Sequence, residues 1–231
     1  MAYKLPYDID KLYSNCLYVY CVHLACIPRM EPMKRDISWD GITFSFDSYY
    51  NALGIISFDF ANDNIYGAFR KDGSRFSWYP DKKAIDFFND ASDEIKNVVS
   101  SSILDKFNVN LVLQKKSLLN KEIVETIPII TTSLWNVGKF LYSYDSLDTF
   151  ILQVGKYIDD IYLDKDKLIE WLKKEYNVLD NELEFAEKLY EIKLQGTNNI
   201  NKELLLILGE KVYECNTLIK ILEKSGMQIE K

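Results

Sequence analysis

All four arginines of this chain, Arg29, Arg35, Arg70 and Arg75, fall in its first 75 residues, although lysine is spread throughout. A guanidinium presents a rigid fork of donors to phosphate or carboxylate and stacks on aromatic rings. Arg70 and Arg75 bracket an Asp72-Gly73 pair, with Tyr66, Phe69, Phe76, Trp78 and Tyr79 close by in sequence. This combination suits a pocket for a small anion or an edge that recognises another protein. An ordinary hairpin with charged edge positions, which discourage aggregation, is the plain alternative. Tyr66, Arg70, Arg75 and Trp78 are the candidate binding residues.

The remaining reactive side chains point elsewhere. His23 is the single histidine, so a Cys–His or Ser–His pair has no other base to draw on, and the run around it, CLYVYCVHLACI, reads as core. Cys16, Cys21 and Cys26 are spaced by five and Cys215 lies far downstream. Steps of five rotate successive sulfurs by about 140° on a helix and place Cys21 on the far side of a strand. Zinc sites draw instead on closely spaced cysteine pairs with a second pair downstream. Buried free thiols in a reducing compartment are expected, with no metal and no cofactor. Asp40 and Asp47 bracket one strand, and Asp59 and Asp63 flank the turn after the next. Converging carboxylates there would hold Mg²⁺ for phosphoryl chemistry or form an acid–base pair, but turn formation explains the same spacing. Asp159, Asp160, Asp164 and Asp166 stand where a helix begins, a position acids favour.

No phosphate-binding loop, dinucleotide fingerprint, zinc-protease motif or nucleophile elbow occurs in the 231 residues. The charge balance narrows the partners further. There are 28 Lys and Arg against 35 Asp and Glu, a net charge of −7 and a pI near 4.9. After Lys115 the excess grows to 20 acids against 15 bases, and no basic run exceeds two residues. Nucleic-acid binding rests on basic faces that neutralise phosphate, so nucleic acid is not expected as a direct ligand. No apolar run approaches the roughly 18 residues of a bilayer span, and the opening MAYKLPYDID lacks the pattern of a secretory leader. A cytoplasmic protein without a membrane segment is expected.

Periodicity supplies the elements that would hold these residues. Asp8 to Ile27 is rich in apolar residues, with Leu12, Cys16, Tyr20 and Leu24 four apart, and predicts a buried helix ending at Pro28, although CLYVYCVHLACI would also suit a fully buried strand. From Ile37 to Tyr79 the period falls to two. Ile42, Phe44 and Phe46 alternate with Thr43 and Ser45, and Ile56, Phe58 and Phe60 with Ser57 and Asp59. Turns at Ala61–Asn64 and at Asp72-Gly73 divide the run into an antiparallel meander ending in a strand over Arg75 to Tyr79. Helices are expected over Asp81 to Asn89 and Ser92 to Phe107, a further strand over Asn108 to Leu113, and a buried strand followed by a helix over Ile127 to Tyr144. Helices then fill Ser146 to Ile158, Lys165 to Tyr176, Asn181 to Gln195 and Asn201 to Ser225, with Gly196 and Gly226 as stops. The fold class is α+β: an N-terminal antiparallel β-meander with flanking helices, then a C-terminal helical bundle. Residues 1–144 form the mixed part and 145–231 the helical part, which either stands alone or packs onto the first.

An acidic chain that is 14% aromatic and carries no catalytic signature suggests a protein that works by binding. In composition, though in no specific motif, it is similar to bacterial immunity and antitoxin proteins and to phage inhibitors of host defence. Its Lys-, Asn- and Ile-heavy usage suits a low-GC bacterial or phage genome. The expected function is non-catalytic neutralisation of a basic protein partner. The alternatives are a protein that sequesters a small anion or nucleotide through the same arginines, and a metal-dependent hydrolase using the Asp groups.

Overall fold

The first helix, α1 (Ile9–Cys26), is buried on all sides from Cys16 to Cys26, with only His23 among those positions polar. A helix that is apolar all round must be enclosed rather than laid on a surface, and the rest of the chain supplies the enclosure. The computed structural model describes residues 9–30, 36–47, 52–61, 64–71, 85, 91–101, 111–118, 121–127, 161 and 163–230. The expected elements over 75–79, 81–89, 128–144 and 146–158 lie outside them, apart from Ile85.

Strands β1 (Asp36–Trp39), β2 (Thr43–Asp47), β3 (Ala52–Asp59), β4 (Asn64–Lys71), β5 (Leu111–Leu118) and β6 (Lys121–Ile127) form one six-stranded antiparallel sheet in chain order. The alternation seen in the sequence sets its faces. The pairings Trp39↔Phe44 and Phe44↔Ile56 align the large apolar residues across β1, β2 and β3. Tyr13 of α1 meets the rings of Trp39, Phe58 and Phe60 edge-on, at 5.1, 5.3 and 5.0 Å between centroids. The opposite face is also covered. Ile55 is buried there, α2 (Asp93–Ser101) lies against β3 with Ile95 and Val99 buried, and the hydroxyls of Thr43 and Ser57 pair at 3.0 Å. The meander thus has helices on both faces.

The helical part follows. Helices α3 (Lys165–Tyr176) and α4 (Asp180–Leu194) pack against the remaining sides of α1. The described cluster of buried side chains runs without interruption from Phe44 and Trp39 through α1 to Leu172, Phe185 and Leu218. Gly196 ends α4 as its type predicts. It sits at φ 68°, its N–H donates to the Lys193 carbonyl, and the Thr197 N–H donates to the Ile192 carbonyl. Gly226, at φ 80°, repeats this arrangement after the helix Asn216–Lys224, with the Met227 N–H donating back to the Leu222 carbonyl.

Two expectations need correcting. The single helix over Asn201 to Ser225 is three short pieces: α5 (Lys202–Leu206), a 3₁₀ turn (Glu210–Glu214) and α6 (Asn216–Lys224). Gly209, at φ 100°, adopts a conformation no helix contains and breaks the run. The strand placed at Asn108 to Leu113 runs instead from Leu111 to Leu118 and hairpins into β6, where no strand was expected. A two-residue parallel ribbon, β7 (Asn199–Ile200) with β8 (Gln228–Ile229), closes the helical part.

Candidate functional site

The polar groups of α1 reach toward the helical part. Asn15 donates to the carbonyls of Ile161 and Leu163 at 2.6 and 2.8 Å, and Lys11 pairs with Asp164 at 2.8 Å. Asp164 therefore serves α1 rather than capping α3, and its carboxyl is held below the usual range by the Lys11 hydrogen bond and charge. The strongest link lies three residues past the helix end. Arg29 Nε donates to Glu182 Oε1 at 2.6 Å, and its Nη2 donates to Glu182 Oε2 at 2.8 Å and to the carbonyls of Tyr176 and Asn177 at 3.1 and 2.8 Å. The Leu179 N–H and the Cys26 thiol also donate to Glu182 Oε2. Asn177 adopts a left-handed φ of 50°, which turns the chain between α3 and α4. One guanidinium thus fastens the end of α1 to that turn.

Beside this latch lies a cleft of about 450 Å³, lined by Arg29, Leu179, Glu182, Leu208, Lys211 and Cys215 among others. A second cleft, of about 500 Å³, opens between α4, α5 and the end of β8. Its walls carry Glu191, Glu203 and Glu230, and Ile192, Leu204 and Ile207 supply its apolar surface. Large apolar side chains are exposed in the same half: Leu179, Leu194, Leu206 and Tyr213 are each between 37 and 50% accessible.

The residues singled out by sequence divide sharply. Cys16, Cys21 and Cys26 are buried free thiols, as expected. Burial pushes Cys16 up, and raises Cys21 and Cys26 to about 12, with Glu182 adding to the effect at Cys26. His23 is buried within α1. Asp40 forms the β1–β2 turn, its Oδ1 accepting from the N–H groups of Ile42 and Thr43 at 3.0 and 2.7 Å. Asp59 is buried in β3 and Asp63 lies outside the described residues. Among the described residues no group of three His, Cys, Asp or Glu side chains is placed to hold a metal, and no helix is long and apolar enough to cross a membrane. Tyr66 and Arg70 sit in β4, opposite Ser57 and Leu53 of β3, with Tyr66 also opposite Gln114 of β5. Arg75 and Trp78 lie outside the described residues.

Sequence reasoning missed both Arg29 as a latch and the acidic cleft. Arg29 carried a usable signal, an arginine directly after the proline that ends a buried helix. The cleft carried none, because its glutamates are 12 and 27 residues apart. Set against protein-family models, curated proteins and solved structures, the chain has no match.

Proposed function

We propose that the protein binds and neutralises a basic protein partner in the cytoplasm without catalysis of its own, as immunity proteins, antitoxins and phage anti-defence inhibitors do. The observation that carries this reading is the exposure of Leu179, Leu194, Leu206 and Tyr213 on the more acidic half of the chain. Exposed aliphatic and aromatic groups contribute area to desolvate, and the excess of acids in this half speeds encounter with a cationic partner. The partner's own activity then names the process that is blocked.

Affinity capture from the native cell, with protein and small-molecule mass spectrometry on the same eluate, tests the reading. A stoichiometric protein whose activity falls when the purified chain is added supports it. A bound anionic metabolite with no protein moves the function to sequestration through Arg70 and Arg75. An eluate with neither, together with turnover that is lost on chelation, moves it to hydrolysis.

A further inference from the structure

We draw no further inference here: the strongest candidate, the cleft of about 450 Å³ beside the Arg29–Glu182 latch, sets the cations Arg29 and Lys211 against the carboxylates Glu182 and Glu214, so its charges cancel, and nothing in the structure shows what fills it.

Discussion

Helix α4 carries a glutamate in each of two unlike settings. Near its start, Glu182 is buried and shared among an arginine, a backbone N–H and a thiol. Further along, Glu191 stands exposed on a cleft wall and makes no ion pair among the described residues. The first carboxylate is committed to the fold, holding α1 to the α3–α4 turn. The second does nothing for the fold that the structure shows. Charge by itself is therefore a poor guide to function in this acidic chain, and charge with no internal partner is a better one.

The largest expected effect comes from breaking the committed side. Arg29→Ala strands a buried carboxylate and should cost about 3–5 kcal/mol, read from the urea midpoint. Glu182→Gln should cost less, because Arg29 is about one-third exposed and turns to water. A loss below about 1 kcal/mol for Arg29→Ala would dissolve the distinction between the two glutamates. On the recognition side, the Arg70→Ala/Trp78→Ala double variant should keep the parental melting temperature and lower partner affinity by about a hundredfold, near 3 kcal/mol. Parental affinity in the folded variant would leave the helical half as the sole binding surface.

A smaller, graded effect comes with pH. Cys21 and Cys26 rise from the usual 9 to about 12 on folding, and burial takes Tyr20 from 10 to about 12. A group whose folded value is raised favours the folded state below its unfolded value, and that advantage disappears as pH climbs through the folded value. Stability should therefore decline between about pH 9 and 12 in a chemical-denaturation series, and Cys21→Ala should flatten the decline. The smallest effect is kinetic. Under native conditions at pH 8, a thiol reagent should modify Cys215, which lines the latch-side cleft, while Cys16, Cys21 and Cys26 wait for unfolding. Early modification of Cys26 would show the latch opening on its own.

Local chemistry was legible in the sequence. A long apolar run with residues four apart marked α1, alternation marked β2 and β3, and Gly196 and Gly226 marked helix ends through the conformations only glycine adopts cheaply. Asp40 as a turn former could be read from its type and place. The failures are of two physical kinds. In β6 the β-branched Ile123, Val124, Thr126 and Ile127 are interrupted by charged residues that break the period-two alternation, and in the Leu-rich run of 201–225 one glycine outweighs a helical pattern. The latch and the acidic cleft are a different matter. Arg29 and Glu182 are 153 residues apart, and the three cleft glutamates meet only after α4, α5 and β8 have packed. No periodicity records such pairs.

The enclosure of α1 also sets an order of events during synthesis. This apolar helix leaves the ribosome before α3 and α4, which cover much of it and begin about 140 residues later. At roughly 5–20 residues per second, it waits on the order of ten seconds with its stickiest surface uncovered. The meander can shield one side in that interval. The rest must be guarded by a chaperone or by slow encounter, so expression should respond to chaperone supply more than the finished protein's stability would suggest.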